Sequence, residues 1–121
     1  RADILSVMLW WGNEILKNPE SINNRFYQAF AVLNYSRMLH DLHTGQIGSK
    51  RQGAEWAKAH LDPQWHNLID SAWSGRIQPE ISSREAADPV ALRRTVDYVA
   101  YIMAEGNRLA ESLPIERKVW Q

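Results

Sequence analysis

The chain has 121 residues, 45% of them hydrophobic and 23% charged, which is ordinary composition for one globular domain with a modest core. Fourteen Lys and Arg balance 14 Asp and Glu, and there is no cysteine. That excludes disulfides, thiolate nucleophiles and cysteine metal sites, and it argues against a strongly basic nucleic-acid binder. No apolar run is long enough to span a bilayer, and Ile4–Trp11 is too short and lacks a cleavage pattern. A cytoplasmic location is expected, with no membrane and no nucleic acid as partner. Because the chain opens at Arg1, it is expected to be a processed or truncated piece of a longer protein.

Five helical segments and no strand are predicted. The first covers about Asp3 to Lys17, with Leu5, Met8, Leu9, Ile15 and Leu16 at helical spacing and Asn18-Pro19 as its stop; Gly12 weakens its middle. The second is expected from near Ser21 to about His43. Phe26, Ala29, Phe30, Leu33 and Arg37 form one stripe, and Val32, Tyr35, Leu39 and Leu42 form a second beside it. So wide an apolar face predicts a central helix, closed by a left-handed cap at Gly45. Ser49 with Gln52 then forms a capping box for a short helix over Lys50–His60, with Ala54, Ala57 and Leu61 inward. Asp62-Pro63 is a cap followed by proline, opening a fourth helix that carries Trp65, Leu68, Ile69, Ala72 and Trp73 and ends at Gly75. Arg76–Ala87 is polar and reads as the longest loop. Asp88-Pro89 opens the last helix, with Leu92, Val96, Val99, Met103 and Ala110 buried, running to about Ser112 before Leu113-Pro114. A loose tail follows, with Trp120 as its one anchor. The fold class is therefore all-α, a five-helix bundle over 1–121.

Lys50 carries the most pointed chemical signal. It sits at the first turn of a helix, where backbone N–H groups point outward and an anion is welcome. As a turn residue alone it is a solvated lysine; as a cation beside helix donors it is a phosphate grip. His40 and His43 share a face with Asp41 and read as a solvated helix end rather than a metal site. Arg37 and His43 have a spacing that resembles the Arg-x4-6-His motif of HEPN-type ribonucleases, although Met38 follows the arginine where that family has a polar residue. Most of the six tryptophans are expected in the core; Trp73, one turn from a helix end, is placed either to pack or to stack on a base. No carboxylate pair is forced together by spacing.

Three runs in order carry a more specific resemblance: Ala31-Val32-Leu33-Asn34-Tyr35-Ser36-Arg37, Thr44-Gly45-Gln46-Ile47-Gly48-Ser49-Lys50, and Gly53-Ala54-Glu55-Trp56-Ala57. Together with Ser71-Ala72-Trp73-Ser74-Gly75 and Val96-Asp97-Tyr98-Val99, the stretch from Phe30 to Leu109 resembles the C-terminal helical domain of streptomycin/spectinomycin 3''-adenylyltransferases. The resemblance implies a two-domain enzyme. Its N-terminal nucleotidyltransferase domain, with the Gly-Ser opening, the Asp-x-Asp metal ligands and the catalytic carboxylate, is absent from these 121 residues. ATP and Mg²⁺ are implied for the full-length protein, and this piece alone is expected to bind neither and to transfer no AMP. Lys50 matches the family lysine that reaches the nucleotide phosphates, and Trp73 takes the place of a tyrosine near the nucleotide. Arg37 matches a family arginine in the cleft wall, and Glu20 and Arg37 are the residues expected on the substrate side. The acceptor wall departs from the family: in Glu20–Gln28 only Glu20 is acidic and Arg25 is basic. A cationic aminoglycoside is thus less well served than another hydroxyl-bearing small molecule. A rival reading is a stand-alone binding or dimerisation domain, using Trp10-Trp11 as its contact.

Overall fold

Capping residues and prolines set the helix boundaries. The computed structural model describes residues 2–75 and 88–112. Among them are five α-helices and no strand: α1 (Ala2–Lys17), α2 (Arg25–Thr44), α3 (Lys50–His60), α4 (His66–Gly75) and α5 (Pro89–Ser112). The expected loop at 76–87, the stop at Leu113-Pro114 and the tail with Trp120 lie outside the described residues.

Two boundaries differ from expectation. The chain after Asn18 does not enter the second helix at Ser21 but makes a separate 3-10 turn, Pro19–Ile22, which buries Ile22. Asn24 then caps α2, its Oδ1 accepting from Tyr27 N–H at 2.7 Å. Likewise Pro63 opens a 3-10 turn, Pro63–Trp65, before α4 starts at His66; Asp62 caps that turn through Gln64 N–H at 3.0 Å. Elsewhere the signals hold. Gly45 takes φ 74° and donates its N–H to Asp41 O at 2.9 Å, closing α2. Ser49 and Gln52 make both bonds of the capping box, at 3.1 and 2.8 Å.

Helix α2 is the axis of the bundle. Twelve of its 20 residues are buried, and it packs against α1, α3, α4 and α5. The Val32, Tyr35, Leu39, Leu42 stripe is fully internal, whereas the first stripe opens to solvent at Phe30, 40% exposed. On α1, Leu5, Met8 and Ile15 are buried and Leu16 is exposed. Gly12 is a site of close approach rather than a weak point. A Cβ there would collide with Met103 Sδ and stand 2.9 Å from the Tyr35 hydroxyl, so the glycine lets α1 settle on α2 and α5.

The buried face of α5 is rotated from the expected one. Thr95, Tyr98, Val99, Ile102 and Gly106 face inward, and Leu92, Val96 and Met103 flank them. Polar atoms explain the rotation, because each finds a partner inside. Tyr98 hydroxyl and Ser36 Oγ are 2.6 Å apart, and Thr95 Oγ1 donates to Ala91 O at 2.9 Å. Tyr35 donates to Met8 O at 2.7 Å. Burial pushes both tyrosines above their ordinary pKa; at Tyr98 the hydrogen bond with Ser36 opposes the rise and Tyr101 adds to it. The tryptophans also depart from expectation. Of the five described, only Trp65 is buried, while Trp10 is 68% exposed.

Candidate functional site

The seam between α2 and α3 gathers the chemistry. It begins with a close backbone approach. A Cβ at Gly53 would lie 2.6 Å from Arg37 Cα, so the glycine seats α3 against α2 one turn after Lys50. Along the facing side of α2, Asn34 Nδ2 donates to Phe30 O at 2.8 Å, and Arg37 Nη2 donates to Asn34 Oδ1 at 3.2 Å. Arg37 is therefore a half-buried member of this seam, held by an amide rather than by the carboxylate or helix-end carbonyls that an interior arginine usually takes.

Lys50 is the first residue of α3, fixed there by the capping box. Its ammonium lies 4.9 Å from the centroid of the Phe30 ring, a cation–π distance. Phe30 in turn touches Trp11 and Phe26, with centroids at 5.8 and 6.5 Å. The lysine thus stands at the edge of an aromatic shelf, half-buried and close to helix donors.

Trp73 lies on α4. It is half-buried and lines an open cavity of about 290 Å³ with Arg51, Ala54, Glu55, Lys58, Ile69 and Asp70. Two ion pairs form the rim, Arg51–Glu55 at 3.1 Å and Lys58–Asp70 at 2.6 Å. Lys50 does not line this cavity; its neighbour Arg51 does. Glu20 sits on the exposed 3-10 turn, with Oε2 accepting from Asn23 Nδ2 at 2.6 Å.

The histidines cluster around an indole. The rings of His40, His43 and His60 lie 6.0, 5.0 and 4.8 Å from that of Trp56. Among the described residues no group of three or more His, Asp or Glu is placed to hold a metal ion. Arg37 and His43 of the ribonuclease-like spacing face different neighbours, the one Asn34 and Gly53, the other Trp56. Trp11 stacks on Tyr35 at 5.2 Å, which leaves Trp10 as the outward member of the Trp10-Trp11 pair.

The reading of Asp41 and His40 as a solvated helix end is overturned, because both are largely buried and paired. Asp41 is 7% exposed, and its Oδ1 accepts from Gly48 N–H at 2.9 Å and pairs with His40 Nδ1 at 2.8 Å. A signal was present: an acid in the last turn of a helix opposes the macrodipole and needs a local compensation.

No described helix is long and apolar enough to cross a membrane. No significant match to the chain is found among curated proteins or among solved structures. Residues 3–104, from the start of α1 well into α5, match the family described as aminoglycoside adenylyltransferase, C-terminal domain, and the chain belongs to that family.

Proposed function

We propose that the α2–α3 edge is the nucleotide-facing wall of an adenylyltransferase cleft, completed by an N-terminal nucleotidyltransferase domain. The reaction would be in-line attack of an acceptor hydroxyl on the α-phosphate of ATP, forming a new P–O bond as pyrophosphate leaves with the electrons of the broken one. Lys50 neutralises phosphate charge, and the outward N–H groups of the first turn of α3 add to it. Trp73 offers an indole face to the base across the cavity shared with Arg51. Arg37 and Glu20 belong to the acceptor side, Arg37 by holding the wall. The observation that carries this reading is the capping box, which fixes Lys50 at the head of α3 in a domain of this family.

Lys50 and the N–H groups at the head of α3 are cationic and donor groups of the kind that receive the phosphates of ATP. In the two-domain arrangement that the family resemblance implies, metal binding and the catalytic carboxylate belong to the N-terminal domain, and the isolated chain should transfer no AMP. Use of ATP fits a cytoplasmic protein. The acceptor is a hydroxyl-bearing small molecule, an aminoglycoside being the family's class.

The test is Lys50→Ala in the full-length protein. Removing a charge-assisted phosphate contact should weaken ATP binding by roughly tenfold or more while leaving the melting temperature in place. Unchanged ATP affinity and turnover would remove Lys50 from the site.

A further inference from the structure

We propose that Asp41 is a positioning residue for Lys50, clamping the Thr44–Ser49 turn that delivers the lysine to the head of α3. The inference rests on the nucleotide reading of Lys50 given above. Gly45 ends α2 and Ser49 caps α3, so only Gln46, Ile47 and Gly48 separate the two caps. Ile47 is 92% exposed and contributes little to holding them. What ties the turn down is Gly48. Its N–H donates to Asp41 Oδ1, two residues before Lys50. Its α-carbon lies on the His40 ring, where a Cβ would stand 2.7 Å from Cε1. Only glycine permits that approach.

The same carboxylate oxygen holds His40. A carboxylate only accepts, so His40 Nδ1 carries the proton and donates at 2.8 Å. One oxygen thus fixes both the backbone of the turn and the ring against which the turn packs. Asp41 also closes α2 through its own carbonyl, which takes Gly45 N–H. Its side chain joins the end of α2 to the last residue before the α3 cap by a hydrogen bond. No nearby aliphatic residue of the turn could substitute for it, because the interaction is with a backbone N–H.

The experiment uses the full-length protein in wild-type, Asp41→Ala, Asp41→Asn, Lys50→Ala and Asp41→Ala/Lys50→Ala forms. Amide hydrogen exchange at Gly48 and equilibrium ATP binding are measured on each. Asp41→Ala should speed exchange at Gly48 at least tenfold relative to mid-helix α2 amides and weaken ATP about fivefold, the order expected for one lost anchoring hydrogen bond. Asp41→Asn keeps an acceptor oxygen and should restore both to within about twofold of wild type. The double variant should bind ATP no more weakly than Lys50→Ala, since Asp41 acts through Lys50. Unchanged Gly48 exchange in Asp41→Ala overturns the clamp. Faster exchange with unchanged ATP affinity, while Lys50→Ala weakens it, overturns the positioning role. If Lys50→Ala itself binds ATP normally, the nucleotide reading fails, and the positioning role falls with it even where the exchange data show the clamp.

Discussion

Helix α2 has two working sides, and they are built on opposite terms. Toward α1 and α5 every polar atom named above is matched inside a closed seam: Tyr98 with Ser36, Tyr35 with Met8 O, and Ser36 again with Val32 O at 2.8 Å. Tyr98 and Ser36 are 0% exposed. Toward α3 the groups are Lys50 and Arg37, half-buried, Phe30, exposed, and Asn34, buried, where it donates to Phe30 O and accepts from Arg37. One side supplies cohesion and the other presents charge. A helix anchored this firmly on one side can carry charged groups along the edge of the other without fraying, which is what a cleft wall requires.

The largest effect should come from the closed seam. Tyr98→Ala removes a buried ring that packs on Trp65 at 5.2 Å and strands Ser36 beside a void. A loss of about 3–5 kcal/mol is expected in denaturant unfolding, with ATP affinity of the remaining folded protein unchanged. A comparable loss of ATP affinity in that variant would break the separation of the two sides. Alkaline pH probes the same seam. Both tyrosines ionise more readily unfolded, near the ordinary value of about 10, than folded, where burial holds them neutral. Their contribution is therefore complete below pH 10 and lost as pH rises above it, by about 1.4 kcal/mol per pH unit for each tyrosine. Tyr98→Phe should flatten that part of the stability curve.

Gly53→Ala tests where the sides meet. The new methyl group would press on the Arg37 backbone, which cannot move aside as a flexible side chain could. The expected cost is about 1–3 kcal/mol, together with weaker ATP binding as the head of α3 shifts. Thermal unfolding and ATP titration on one preparation would show whether the two effects travel together.

Much of this was legible in sequence because caps and breakers act locally. Gly45, Ser49 with Gln52, Asp62-Pro63 and Asp88-Pro89 each marked a real boundary, and the Arg37-to-Trp56 run pointed to the family that residues 3–104 match. What misled was long-range compensation. The expected α5 face runs through the apolar residues Leu92, Val96, Val99, Met103 and Ala110 and leaves out Thr95 and Tyr98. Both are buried, since Ala91 O and Ser36 lie where their hydroxyls point. Gly12 read as a helix weakness because Met103, 91 positions away, is invisible to spacing. Asp41 reads as part of a solvated helix end because its partner, a backbone N–H seven residues on, leaves no mark in side-chain spacing.

The smallest expected change is the sharpest on function. Arg51 pairs with Glu55 at 3.1 Å, but both side chains are more than half exposed, so Arg51→Ala should alter stability by no more than about 0.5 kcal/mol. Yet Arg51 lines the Trp73 cavity and follows Lys50 on the first turn of α3. If that cavity takes the base while the head of α3 takes the phosphates, a nucleotide passes close to Arg51. Its removal should then weaken ATP binding by roughly two- to fivefold, less than Lys50→Ala, as expected for a rim charge. The weakening should also shrink at high salt, because an exposed charge is screened. A variant with normal stability and normal ATP affinity at low salt would move the base away from Trp73 and confine the nucleotide to the Lys50 and Phe30 side of α3.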